Sequence, residues 1–100
     1  MATTRKKRPR GWTQREVEAI VDDYLDMLDK EIRGEPYVKA AHRRSLRPLL
    51  DRRTNGAIEL KHCNISAVLA SMGLRYINGY KPRKNLQDLL RKTVEKRVAR

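Results

Sequence analysis

Three groupings in the chain have the residue types that catalysis uses. The first is Asp51 with Glu59-Leu60-Lys61. It imitates the spaced Asp … Glu-x-Lys of metal-dependent nucleases, in which the carboxylates hold Mg²⁺ and the lysine positions water. That chemistry needs the Glu and Lys on one side of a strand, whereas residues two apart in a helix point about 200° apart. The second grouping is His42, His62 and Cys63, the only soft metal ligands. His62 and Cys63 are adjacent and cannot both face one ion from a helix, and no C-x-x-C pair accompanies them. The third is Cys63 as a nucleophile beside a histidine, for which no basic neighbour is turned toward the thiol. His62 lies beside the stripe of Ile58 and Ile65 and reads as a core or hydrogen-bonding histidine. These residues assign no catalytic site, no metal site and no cofactor.

The remaining chemistry is cationic. Residues 75–84 (Arg75-Tyr76-Ile77-Asn78-Gly79-Tyr80-Lys81-Pro82-Arg83-Lys84) join two aromatics and an amide to four cations. Arg and Lys bind phosphates, Arg or Asn reads base edges, and Tyr stacks on exposed bases. Within this segment Tyr76 is expected in the core, and Tyr80, Lys81, Arg83 and Lys84 on the surface. A second set, Arg5, Lys6, Lys7, Arg8 and Arg10, suits an arm that tracks phosphates or enters a minor groove. It equally suits a solubilising or targeting tail. A third set, Lys39, Arg43, Arg44 and Arg47 with Arg52 and Arg53, is uninterrupted by acid from Glu35 to Asp51. A solvated helix face ordinarily mixes signs, so this stripe is read as contacting a phosphate backbone. Lys61, Asn64, Arg75 and Asn78 complete the candidate DNA-binding set.

Charge along the chain is sorted to match. Residues 1–15 hold six bases and no acid, residues 16–35 eight acids and two bases, and residues 36–100 sixteen bases and four acids. The net charge is +12, and a field of one sign over most of the surface suits a polyanion. One hundred residues make one small domain without need of staples. A single cysteine excludes an intrachain disulfide and fits a reducing compartment. No apolar run approaches the roughly 20 residues that span a membrane, and the basic start leads into acidic sequence rather than a signal peptide's apolar region. The expectation is a cytoplasmic, nucleoid-associated protein.

The elements that must position these groups are helices. Residues 1–12 lack apolar periodicity and are expected to be a disordered basic arm, with 13–100 a single helical domain. Thr13 and Glu16 spell a capping box, with Trp12 set to pack on Val17. Val17, Ile20, Val21, Tyr24, Leu25, Leu28 and Ile32 form one helical stripe over 14–33, and Gly34 and Pro36 end it. A second helix from Val38 would bury Val38, Ala41 and Leu49, and break or kink at Pro48. A third, 57–72, carries Ile58, Ile65, Leu69 and Met72 on one side and small or apolar residues on the other, which predicts a central buried helix ended by Gly73. A fourth would be capped by Asn85 and present Leu86, Leu89, Leu90, Val94 and Val98. The spacing therefore predicts an all-α, compact four-helix domain. Residues 65–74 look like the first helix and turn of a helix-turn-helix, but Gly79 and Pro82 delay the next helix too far for the standard motif.

Several blocks resemble a known bacterial domain: Gly34-Glu35-Pro36-Tyr37, Lys39-Ala40, His42-Arg43-Arg44, Ile58-Glu59, Lys61-His62, Asn64 to Leu69 and Gly79-Tyr80-Lys81-Pro82-Arg83. Over about residues 14–98 the chain resembles the N-terminal domain of restriction-type proteins, including HNH and modification-dependent (McrA-type) endonucleases. Val38, Leu60 and Cys63 depart from that pattern, which has Asn, an aromatic and Gln there. The resemblance implies recognition of double-stranded DNA, with methylated or otherwise modified DNA as one target, for a nuclease carried elsewhere. No nuclease module is present in this chain. Two other readings stay open: a protein-interaction module that docks a nuclease or regulatory partner through the acidic first helix, and a small transcriptional regulator.

Overall fold

The computed structural model describes residues 11–84 and 87–99. The chain folds as a compact all-α unit, and the described residues contain no strand. Helix α1 runs Gln14–Ile32, α2 Lys39–Leu46, α3 Asn55–Ser71 and α4 Asp88–Val98, with a 3₁₀ turn at Arg47–Leu49.

Local signals set the ends of α1 and α3. At the start of α1 the Thr13 hydroxyl accepts from the Glu16 N–H while the Glu16 carboxylate accepts from the Thr13 N–H, which completes the capping box. Trp12 packs against the core that contains Val17. Helix α3 starts two residues earlier than its apolar pattern suggests, because the Thr54 hydroxyl accepts from the Ala57 N–H. Both helices end on glycines with left-handed φ, Gly34 at 74° and Gly73 at 73°. In each case the next two N–H groups turn back to the last carbonyls: Gly34 to Glu31 and Glu35 to Lys30, then Gly73 to Ala70 and Leu74 to Leu69.

Helices α1, α3 and α4 pack on one another, and α2 lies against α1. The core is Val17, Ile20, Val21, Tyr24 and Met27 of α1, Leu46 of α2 and Leu50 beyond it, Ile58, Ile65 and Leu69 of α3, Ile77, Tyr80, and Leu90 and Val94 of α4. Four expectations are corrected. Ile32, at the last turn of α1, is exposed. Val38 is the N-cap of α2 rather than a buried helical residue, and it and Leu49 are exposed, so α2 buries Leu46 instead. Met72 is the partly exposed C-cap of α3. Finally, α3 is central but not enclosed, since Gly56, Glu59 and Leu60 face outward. Pro48 ends α2 as its missing N–H requires, within the 3₁₀ turn. The cap position of α4 is Gln87; Asn85 and Leu86 lie outside the described residues, as do residues 1–10 and so the cations Arg5, Lys6, Lys7, Arg8 and Arg10. With α4 beginning at Asp88, fourteen residues after Leu74, the standard helix-turn-helix is not formed.

Candidate nucleic-acid interface

The 75–84 segment is a strap fastened across α3 and α1. Its Ile77 N–H donates to the Tyr24 hydroxyl at 2.9 Å, and that hydroxyl shares a 2.6 Å hydrogen bond with Ser66. The Asn78 N–H donates to Glu31, whose other oxygen accepts from the Tyr37 hydroxyl. The Arg83 N–H donates to the Cys63 carbonyl, and the Asn64 side-chain amide donates to the Arg83 carbonyl. These bonds fix the backbone and leave Arg75, Lys81, Pro82, Arg83 and Lys84 exposed.

Tyr80 corrects the expectation that it lies on the surface. It is 3 % exposed, stacked on His62 with ring centroids 4.7 Å apart. Lys39 caps its outer face, with Nζ 4.2 Å from the ring centroid and 3.3 Å from the Gly79 carbonyl. Tyr80 therefore joins the start of α2 to the strap, and burial with the nearby Glu59 charge pushes its hydroxyl up to about 12. Tyr76, expected in the core, is only half-buried. The cause is a glycine-containing turn at 77–80, closed by the Tyr80 N–H on the Ile77 carbonyl, which points Ile77 and Tyr80 inward together.

Three more candidates turn out to be internal. Arg53 clamps Glu16 with Nε and a terminal nitrogen, at 3.0 and 2.8 Å, and donates a further bond to the Gly11 carbonyl. Its guanidinium also stacks over Trp12. Lys61 is buried, donates to Gln87 and also lies over the Trp12 ring, 5.0 Å from its centroid. Burial and the Arg53 charge lower its pKa, against the opposing pull of Glu16. Asn64 is buried beneath the strap. Lys61 and His62 occupy the helical positions between Ile58 and Ile65, so the core stripe itself was the signal that they are buried.

The rest remain outward. Arg44, Arg47 and Arg52 are exposed and Arg43 is half-buried. Arg47 donates to the Asn55 side chain at the start of α3. Among the described residues, Arg43, Arg44, Arg52, Arg75, Lys81, Arg83 and Lys84 carry no ion pair. Arg52 holds a left-handed φ of 54°, which costs a non-glycine residue about 1 kcal/mol. The acids of α1, by contrast, are mostly engaged: Asp22 with Arg97, Asp23 with His42, Asp26 with Lys30 and Asp29 with Arg33.

The catalytic groupings come apart. Glu59 is exposed and Lys61 buried, and they diverge on one helix. Burial and Glu59 push the Cys63 thiol up, away from the reactive thiolate. His62 is 1 % exposed with neither ring nitrogen hydrogen-bonded. Burial first, then the charges of Lys39, Arg43 and His42, lower its pKa to about 3 and keep it neutral. Among the described residues no three His, Cys, Asp or Glu converge on a point that could hold a metal ion.

The described residues form a small all-α domain whose α2 and 75–84 strap are rich in exposed cations without an ion pair. No family model, curated protein or solved structure matches the chain.

Proposed function

We propose that this domain binds double-stranded DNA through the face formed by α2, Arg52 and the 75–84 strap. The observation that carries the reading is the concentration of unpaired cations on α2, at Arg52 and on the strap. Arg53, Lys61 and Arg97 have partners within the fold, whereas Arg43, Arg44, Arg52, Arg75, Lys81, Arg83 and Lys84 have no ion pair among the described residues; Arg15, Lys92 and Lys96 on α1 and α4 are unpaired as well but more scattered. The Lys39 contact with Gly79 and Tyr80 makes these two elements one surface. Long unpaired cations repel one another, and a row of phosphates relieves that repulsion as it releases counterions.

The test is a fluorescence titration of a 30-base-pair duplex at several salt concentrations. Binding should weaken with a log–log slope near 0.9 for each phosphate neutralised. Arg43→Ala, Arg44→Ala and Lys81→Ala should each weaken it and reduce the slope by about 1. Salt-independent or absent binding overturns the reading. Matched methylated and unmethylated duplexes then decide whether modification matters. The rival reading, docking of a partner through α1, has less to draw on, because Asp22, Asp26 and Asp29 already hold cations of this chain. Reversing those three charges should leave DNA affinity undiminished.

A further inference from the structure

We infer that Glu59 is a base-reading residue, taking the exocyclic amino group of cytosine in a C·G pair while Arg83 takes the guanine. The inference rests on the DNA-binding reading and adds a specificity determinant to it.

Glu59 is anomalous where it stands. It is the single acid between Asp51 and Asp88, it is exposed, and it has no ion pair or hydrogen bond among the described residues. It borders Arg83 of the strap. Gly56, Glu59, Leu60, Cys63 and Arg83 line one shallow depression of about 240 Å³. Glu59 and Arg83 thus border the same depression and form no ion pair with each other. Other exposed cations are near in the chain: Arg47 is bonded to Asn55 at the head of α3, and Lys81 and Lys84 adjoin Arg83 on the strap.

A carboxylate on a phosphate-binding face repels phosphates and can accept hydrogen bonds only from base edges. In the major groove two bases offer an amino group. Adenine sets its donor beside the N7 acceptor, a pattern matched by an amide and not by an acceptor-only carboxylate. Cytosine N4 presents a donor, and its partner guanine presents O6 and N7, the preferred target of arginine. An adjacent, unpaired Glu and Arg therefore complement C·G and no other pair as well. The outward strip of α3 also suits a groove about 12 Å wide, with Gly56 adding no side chain at its head and a Cβ there meeting nothing closer than 3.9 Å.

The test is selection of bound sequences from 30-base-pair duplexes with a randomised centre, using wild type, Glu59→Gln and Arg83→Lys. Glu59 is exposed, so matched melting temperatures confirm that the variants fold. Wild type should enrich C·G at one position. Glu59→Gln should lose that preference, with about tenfold weaker binding to the best wild-type duplex, and keep preferences elsewhere; Arg83→Lys should relax the same position. If Glu59→Gln binds every duplex more tightly with unchanged preferences, the residue merely repels DNA and the inference fails. Wild-type binding without sequence preference overturns it as well. No wild-type binding at low salt overturns the DNA reading itself, a separate and recognisable outcome.

Discussion

Glu16 accepts hydrogen bonds from the N–H groups of Thr13 and Asp51 and from Arg53, and is 4 % exposed. Burial alone would raise its pKa, but Arg53 and the two N–H groups outweigh it and hold the carboxyl at about 2, against an ordinary 4.5. The folded state thus favours the ionised form. This stability is complete above about pH 4.5 and is lost as pH falls toward 2, a difference of about 3 kcal/mol. Glu16→Gln should remove a similar amount at neutral pH, read from urea unfolding, and flatten the dependence in that window. His62 acts at milder acidity. Its folded pKa lies below the unfolded 6.5, so its contribution is complete above pH 6.5 and declines on acidification. His62→Phe keeps a ring against Tyr80 without nitrogens to protonate, and should move the acid-unfolding midpoint to lower pH. An unchanged midpoint would mean that His62 does not limit acid stability. Neither Arg53 nor Tyr80 was legible in the sequence, because their partners lie 37 and 18 residues away, at Glu16 and His62, and nothing local to either residue encodes that distance.

At the scale of elements the sequence was far more legible, since a cap is written within four or five residues. Thr13 with Glu16, Gly34 and Gly73 each mark an end that the structure has. The start of α4 was misplaced because a long strap precedes it, and the strap's path is set by Tyr24, Glu31 and Asn64 rather than by its own periodicity. Two glycines make a contrasting pair. Gly34 has φ of 74°, so Gly34→Ala should destabilise by about 1 kcal/mol despite open space around it. Gly56 lies inside α3 with room for a methyl group, so Gly56→Ala should stabilise by about 0.5 kcal/mol. Thermal melts of both variants, with opposite shifts expected, check the assignment of their backbones.

For the whole molecule, a net charge of +12 opposes compaction while favouring polyanions. Salt should then act in two directions at once. Screening like charges should raise the melting temperature between about 20 and about 300 mM NaCl, as the Debye length falls from about 20 to about 6 Å. The same change should weaken duplex binding. A melting temperature that falls with salt would mean that paired charge governs stability instead. The bond from Arg53 to the Gly11 carbonyl bears on this balance, because it pins the chain at the point where residues 1–10 begin. Ten residues reach at most about 35 Å from that pin. On the DNA-binding reading proposed above, the five cations of that stretch would add to duplex affinity from this fixed point of attachment. Arg53→Met should then lower duplex affinity as well as stability, and a loss of stability alone would mean that this attachment plays no part in binding.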